Sequence, residues 1–208
     1  MPHTDWRFCD ENGAAVDPRD WLATWSPRFP DKKFDELVHD DLMSRHDNLT
    51  ALDFERMGRW KDAAITERRW RPNVASVAYP IWLQAAAELP RCPDDSDVAA
   101  FLDEWASRAY VDRFESGPRA KTFGLSRATT LLYFLSGGRY PIFDSRVRTA
   151  IRLLGVSIPK TVEGYLLRYR PLLDEIMKLC ECDSMRAVDR ALFSFGGKAR
   201  PSKNNRSA

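Results

Sequence analysis

The chain has 208 residues, of which 44% are hydrophobic and 30% are charged, a composition typical of a soluble globular protein. This length suits one large domain or two small ones that share a core. No apolar run approaches the roughly 18–20 residues that a membrane span requires. The first residues are polar and acidic, unlike a secretory signal. We therefore expect a cytoplasmic protein with no membrane partner.

Cysteine and histidine are too few and too dispersed to predict a metal centre or a disulfide framework. The four cysteines (Cys9, Cys92, Cys180 and Cys182) include one close pair, and all three histidines lie in the first quarter of the chain. Structural zinc and iron–sulfur sites need several closely spaced ligands. We expect ordinary thiols and no metal site.

The formal net charge of +2 conceals an uneven distribution. Residues 1–60 hold 13 acidic and 8 basic residues, whereas residues 119–154 hold seven basic residues and one acid, Asp144. The C-terminal stretch GGKARPSKNNRSA adds four further positive charges. Concentrated positive charge on a nearly neutral chain favours a polyanionic partner, with a merely solvated basic face as the alternative.

The pattern of apolar residues predicts an all-α fold of roughly eight to ten helices. Residues 1–30 are interpreted as an irregular arm with one short helix at 18–25, residues 31–197 as a single domain, and residues 198–208 as a basic flexible tail. Helical spacing then predicts further helices at 33–45, 51–66, 73–89, 95–112, 125–136, 145–154, 161–181 and 184–195. Pro80 is expected to kink the helix at 73–89. The aromatic residues expected in the core are Trp60, Trp82, Trp105, Tyr133 and Phe134.

Residues 119–155 contain the pattern that most directly suggests chemistry. Gly124 precedes an apolar helix, where backbone N–H groups and the positive helix end can hold a phosphate, and Lys121 and Arg127 flank it. A glycine at this point equally well ends the preceding helix. Asp144 follows an apolar tripeptide and precedes the next helix. By itself it predicts an N-cap, a role that is compatible with a catalytic carboxylate.

This pattern resembles that of the helix–hairpin–helix DNA glycosylases, which share a hairpin L-P-G-V-G, a second helix, a loop and an Asp that begins the next helix. Gly124 matches the second hairpin glycine, Ala128 a small residue of the second helix, and Tyr140-Pro-Ile-Phe-Asp144 the segment that ends in the catalytic Asp. The spacing is similar to that of endonuclease III and the adenine-mismatch glycosylases. The C-terminal sequence AVDRALFSFG also resembles the closing helix of small members related to 8-oxoguanine glycosylases.

The resemblance implies a bundle of two helical lobes with a cleft, acting as a monomer on double-stranded DNA with a flipped base. It implies no cofactor other than an optional monovalent cation at the hairpin. Bifunctional members carry a lysine in the second hairpin helix, whereas Ser126 stands at that position here and residues 122–159 contain no lysine. The first hairpin glycine and its proline are replaced by Lys121-Thr122-Phe123. We therefore expect a monofunctional enzyme that hydrolyses the N-glycosidic bond with water.

The implied site residues fall into three groups. Asp144 and Ser126 are the candidate catalytic residues, because a fixed carboxylate stabilises the positive charge that develops on the sugar. The candidate DNA-binding residues are Lys121, Gly124, Arg127, Arg146 and Arg148. The base-pocket candidates are Trp60, Lys61 and Tyr79.

For Arg146 the sequence leaves two roles open, a phosphate contact or a partner of the Asp144 carboxylate. For the whole protein it leaves open repair or defence against phage with modified DNA. The rival function is that of a non-catalytic DNA-binding protein that keeps the scaffold.

Overall fold

A computed structural model describes residues 6–30, 36–62, 84–89, 93–114 and 117–198. They belong to two compact units. Unit 1 is formed by Met1–Phe29 together with Phe143–Ala208, and unit 2 is formed by Pro30–Ile142. The N-terminal arm therefore belongs to the same unit as the C-terminal third of the chain.

The described residues are predominantly helical, which confirms the all-α class that the apolar spacing predicts. In chain order the helices are α1 (Pro18–Trp25), α2 (Glu36–Ser44), α3 (Ala51–Asp62), α4 (Asp95–Ser107), α5 (Leu125–Leu135), α6 (Ser145–Leu153), α7 (Val162–Gly164), α8 (Arg170–Leu179) and α9 (Met185–Lys198). Short 3₁₀ turns at Ser26–Arg28 and His46–Asn48 follow α1 and α2, and a π-helical turn at Tyr165–Tyr169 joins α7 to α8. Among the described residues, none of the helices has both the length and the apolar character needed to cross a bilayer.

The helix predicted at 95–112 is wrong in its second part. It ends at Ser107, where the cap residue Arg108 turns to an extended conformation, and strands β1 (Ala109–Phe114) and β2 (Gly117–Thr122) follow as an antiparallel pair. Pairing runs from Ala109 opposite Thr122 to Phe114 opposite Gly117. The first strand, AYVDRF, contains the aromatic and β-branched residues Tyr110, Val111 and Phe114, which favour a strand. These residues do not alternate with polar ones, so the apolar spacing alone does not separate a strand from a helix here.

The helix predicted at 73–89 lies mostly outside the described residues, including Pro80 and Trp82. Of this segment, residues 84–88 are described and helical. The observed helices differ from those predicted at 125–136, 145–154 and 184–195 by at most three residues at either end. Gly137, Gly138 and Gly155 follow two of them with positive φ, the C-terminal conformation that glycine adopts without strain.

The core of unit 1 includes a group of aromatic residues gathered around α9. Phe195 meets Trp21 and Trp25 edge-on at ring-centroid distances of 5.8 and 5.2 Å. Phe8 packs against Trp21 at 5.3 Å, which ties the N-terminal segment to the same core. Because these rings are almost fully buried, they account for much of the apolar area that stabilises the unit.

One glycine sets the close approach of α6 and α9. A Cβ atom at Gly196 would lie 1.9 Å from the carbonyl oxygen of Arg146 and 3.0 Å from the backbone nitrogen of Ala150. No side chain fits at this crossing. The beginning of α6 is therefore held directly against the backbone of α9.

The core of unit 2 surrounds α5, and it contains the predicted core residues Trp60, Trp105, Tyr133 and Phe134. Trp60 meets Phe134 edge-on at 5.3 Å. His39 is buried beside them, with Nε2 2.9 Å from the Tyr133 hydroxyl oxygen. The core prediction is confirmed for these four aromatic residues.

A buried carboxylate joins α2 to α3 in unit 2. The guanidinium of Arg45 donates to both Asp53 oxygens at 2.8 and 3.0 Å, and the Thr50 backbone N–H and hydroxyl also donate to Asp53. These hydrogen bonds hold the pKa of Asp53 well below its usual range, and the bond from the Arg45 guanidinium has the largest effect. Arg56 and Asp41 extend the network.

Candidate functional site

The Gly124 turn of unit 2 begins α5 without a side-chain cap. Gly124 has φ +80° and ψ 148°, a conformation that residues with a Cβ atom rarely adopt. Its carbonyl accepts hydrogen bonds from the backbone N–H groups of Arg127 and Ala128, both at 3.1 Å. The predicted glycine turn is therefore present, and its N-cap residue has no side chain with which to cap the positive end of α5.

The residues predicted around this turn are placed as follows. Arg127 donates from Nη1 to the Phe123 carbonyl at 3.2 Å, so part of its guanidinium lies back over the turn. Ser126 is half-buried in the first turn of α5, and its carbonyl accepts from the Thr130 hydroxyl at 2.7 Å. Lys121 lies in β2, opposite Tyr110. The segment before Gly124 is thus a strand, where the resemblance implies a helix and a tight hairpin.

In unit 1, Asp144 begins α6 as its N-cap. Its Oδ1 atom accepts hydrogen bonds from the backbone N–H groups of Arg146 at 2.9 Å and Val147 at 3.0 Å. The residue is extended, with φ −111° and ψ −179°, and is partly exposed. The N-cap prediction is confirmed. Two N–H donors and the positive end of the helix together stabilise a negative charge at this point.

A buried aromatic cluster fixes the backbone that carries Asp144. Phe143 is 2% exposed and packs on Tyr169 and Tyr165 at centroid distances of 4.6 and 5.8 Å. Both tyrosines belong to the π-helical turn, a local expansion that is frequent at functional sites. Burial raises the pKa of Tyr169 well above its usual range, and the carboxylates of Asp189 and Asp144 act in the same direction. Asp144 thus lies within electrostatic reach of this cluster.

The first turn of α6 brings two predicted DNA-binding residues close to Asp144 in the chain. The Arg146 guanidinium carbon lies 4.3 Å from the centroid of the Phe193 ring of α9. Arg148 is half-buried, and its Nε atom has no hydrogen-bond partner within the described part of the chain. Of the two roles that the sequence leaves open for Arg146, the stacked position is compatible with a phosphate contact.

The structure describes two of the three base-pocket candidates, Trp60 and Lys61. Trp60 is 5% exposed in the core of unit 2, and Lys61 follows it on α3 at a half-buried position. Tyr79 lies outside the described residues. Their role in base recognition stays a prediction.

Sequence reasoning missed a cluster in unit 1 where cations lie over aromatic rings. We name it the arginine–aromatic cluster, and its pairs are Arg28 and Lys198 over Trp25 at 5.3 and 5.5 Å, Arg186 and Arg190 over Phe29 at 4.7 and 5.2 Å, and Arg146 over Phe193 at 4.3 Å. The spacing of basic and aromatic residues in RAVDRALF was the available signal. This spacing alone does not predict the cluster, because two of its rings, Trp25 and Phe29, come from a distant part of the chain that packs against α9.

Within the described residues no group of three or more His, Cys, Asp or Glu side chains is arranged to hold a metal ion. The thiol of Cys180 is buried, and burial raises its pKa to about 12. No family model, curated protein or solved structure matches this chain.

Proposed function

We propose that this protein is a monofunctional DNA glycosylase that removes a damaged or modified base by hydrolysis of its N-glycosidic bond. The observation that carries the proposal is the position of Asp144. Its carboxylate caps α6 through two backbone N–H groups, follows the buried Phe143, and lies two residues before a stacked arginine.

The chemistry requires a fixed negative charge beside the sugar. As the bond between C1′ and the base nitrogen breaks, the bonding electrons leave with the base and positive charge develops on the deoxyribose. A carboxylate held by helix N–H donors needs little reorganisation to stabilise that charge. Asp144 also orients the attacking water and accepts its proton, while the departing base takes up a proton. The new bond joins the water oxygen to C1′.

Two features support hydrolysis by water over a covalent amine mechanism. Ser126 stands where the resembling bifunctional enzymes carry lysine, and residues 122–159 contain no lysine. A hydroxyl at the beginning of α5 cannot form a Schiff base with the sugar. The proposed enzyme therefore leaves an abasic site and an intact strand.

A non-catalytic DNA-binding function is the second candidate, and a specific observation favours it. Strand β2 precedes Gly124, and Arg127 donates to the Phe123 carbonyl. The phosphate-binding hairpin of the resembling enzymes is altered at both points. A protein that keeps Asp144 only as a helix cap would bind DNA without excising a base.

A base-excision screen decides between these functions. Oligonucleotides that carry a panel of lesions and phage-type modified bases are incubated with protein, in duplex and single-stranded form, and then treated with alkali. Cleavage that needs both alkali and Asp144 establishes the proposed enzyme. Cleavage without alkali contradicts the monofunctional mechanism, and tight binding without cleavage across the panel favours the binding protein.

The matched variants are Asp144→Asn and Asp94→Asn. Asp94 caps α4 in the same manner, accepting from the backbone N–H groups of Ser96 and Asp97 at 2.8 and 2.9 Å. Asparagine preserves an N-cap at both positions. Excision should be lost in Asp144→Asn and unchanged in Asp94→Asn, whereas equal activity of the two variants would leave Asp144 without a catalytic role.

A further inference from the structure

Arg148 of α6 is half-buried, and the described part of the chain supplies no carboxylate that forms an ion pair with it. Its buried Nε atom has no hydrogen-bond partner among those residues. A guanidinium keeps its charge in proteins, and burying a charge or an N–H donor without a partner costs free energy of folding. An anion that binds to Arg148 would satisfy both the charge and the donor.

Arg148 lies on the same side of α6 as Asp144. The two residues are four positions apart, which on a helix places one above the other at about 6 Å along the axis. The buried face of α6 around Val147 separates them from Arg146, whose guanidinium stacks on Phe193 of α9. Asp144 and Arg148 therefore share one edge of the helix, and Arg146 lies on the other edge.

This edge of α6 carries the two groups that a single nucleotide requires. In the proposed reaction the Asp144 carboxylate faces C1′ of the deoxyribose. The same sugar bears a phosphate on its 3′ oxygen and another on its 5′ oxygen, so a phosphate accompanies the sugar to this part of the helix. The N–H donors of a guanidinium match the oxygens of a phosphate in pairs.

We propose that Arg148 binds a phosphate adjacent to the reacting sugar, so that Asp144 and Arg148 together hold one nucleotide by its sugar and its backbone. The sequence predicted Arg148 as a DNA-binding residue without assigning it a phosphate. The inference rests on the proposed function for the position of the sugar at Asp144. Arg148 then favours a strand whose nucleotide has left the stack over an undamaged duplex, because extrusion moves the phosphates beside that nucleotide.

The test uses a duplex that contains a tetrahydrofuran analogue of an abasic site, since this sugar is common to every base that the enzyme could remove. Fluorescence anisotropy gives Kd of the full chain for this duplex and for an undamaged duplex of the same sequence. Arg148→Gln should raise Kd for the abasic duplex about tenfold, the loss expected for charge-assisted hydrogen bonds. The Kd for the undamaged duplex should change much less.

A double-mutant cycle identifies the phosphate. A neutral methylphosphonate replaces the phosphate on the 3′ side or the 5′ side of the analogue, one at a time. At one of these two positions the replacement should weaken binding by wild type and have little further effect in Arg148→Gln, because the two changes remove the same contact.

The control is Arg152→Gln, which removes an exposed arginine one turn further along α6. Its effect and that of the methylphosphonate should simply multiply, since they are independent. Tm is recorded for every variant. If Arg148→Gln does not fold, Arg148→Lys replaces it: lysine keeps the charge but lacks the paired donors, so the methylphosphonate effect should shrink.

Several results would overturn the inference. Independent effects of Arg148→Gln and both methylphosphonates would do so, as would an equal loss of affinity for the abasic and undamaged duplexes. In the lysine variant, an undiminished methylphosphonate effect would have the same meaning. Excision with independent effects would leave the glycosylase standing and remove Arg148 from the site. Coupling without excision would keep the nucleotide site and favour the binding protein, and a chain that binds neither duplex would lose both proposals.

Discussion

Each unit contains one helix that begins at a candidate functional residue. The two helices differ in whether the side chain of that residue caps the positive end of the helix. In unit 1, α6 is capped by the carboxylate of Asp144, so the negative charge belongs to the protein. In unit 2, α5 begins at Gly124 without a side-chain cap. The first arrangement suits stabilisation of a cationic transition state, and the second suits binding of an external anion.

The two units also differ in what holds these helices. The beginning of α6 is fixed by a backbone crossing at Gly196 and by stacked aromatic rings. In unit 2, α5 lies in a core with Trp60, and a separate polar anchor, the carboxylate of Asp53 between Arg45 and Thr50, joins α2 to α3. We therefore expect a larger side chain at the helix crossing to lower the stability of unit 1, and low pH to lower the stability of unit 2.

The largest effect is expected for Gly196→Ala, which breaks the anchor in unit 1. The new methyl group would overlap the Arg146 carbonyl, and because the obstacle is backbone, the helices must separate at a cost of about 3 kcal/mol or more. The Tm from circular dichroism measures the loss. Gly197→Ala is the matched control, since its Cβ would lie at an ordinary 3.5 Å from an Arg146 guanidinium nitrogen. Equal Tm values for the two variants would contradict the close crossing.

Asp53→Asn should break the anchor in unit 2 at a cost of about 2 kcal/mol, because it removes the charge that Arg45 and Arg56 contact while both arginines remain partly solvated. The pKa of Asp53 is lowered on folding, so its contribution is present above the unfolded value of about 4 and is lost as pH falls below it. Tm measured at several pH values should show the difference between wild type and variant shrinking in acid. A difference that is constant with pH would argue against an ionic role.

Gly124→Ala should cost about 1.5 kcal/mol through backbone conformation alone. A Cβ at this position would meet only the Thr122 carbonyl oxygen, at 3.9 Å, so steric overlap is not the cause. Urea unfolding measures the change. If the uncapped end of α5 holds a phosphate, Gly124→Ala should also weaken DNA binding. A variant that is destabilised but binds DNA with unchanged affinity would show that the turn has a structural role only.

Asp144→Ala should cost about 1 kcal/mol, the usual loss of an N-cap, whereas Asp144→Asn should be nearly neutral. Thermal unfolding of both variants beside the excision assay separates the two roles of this residue. Excision should be absent in both, although only the alanine variant is destabilised. If excision is lost only in the destabilised alanine variant and is kept in Asp144→Asn, Asp144 serves as a helix cap without a catalytic role.

Local signals in the sequence predicted the elements that local chemistry determines. Asp144 was expected as an N-cap and Gly124 as a turn before an apolar helix, and both are observed, because caps and positive-φ turns depend on a few adjacent residues. The segment at 109–112 was misread, since helix and strand periods are hard to separate over a few residues. The DNA-glycosylase activity and its base pocket stay predictions.

The sequence by itself determined where most helices begin and end, that Trp60, Trp105, Tyr133 and Phe134 lie in the core, and where one carboxylate caps a helix. It did not predict the buried aromatic residues of unit 1, of which Trp21 and Trp25 lie in the segment interpreted as an irregular arm. Tertiary structure alone decided that Gly196 must face the Arg146 carbonyl, and that Trp25 and Phe29 lie beneath cations of α9. These contacts join residues more than 40 positions apart. Their geometry follows from how the helices pack, and no short-range pattern of residues encodes it.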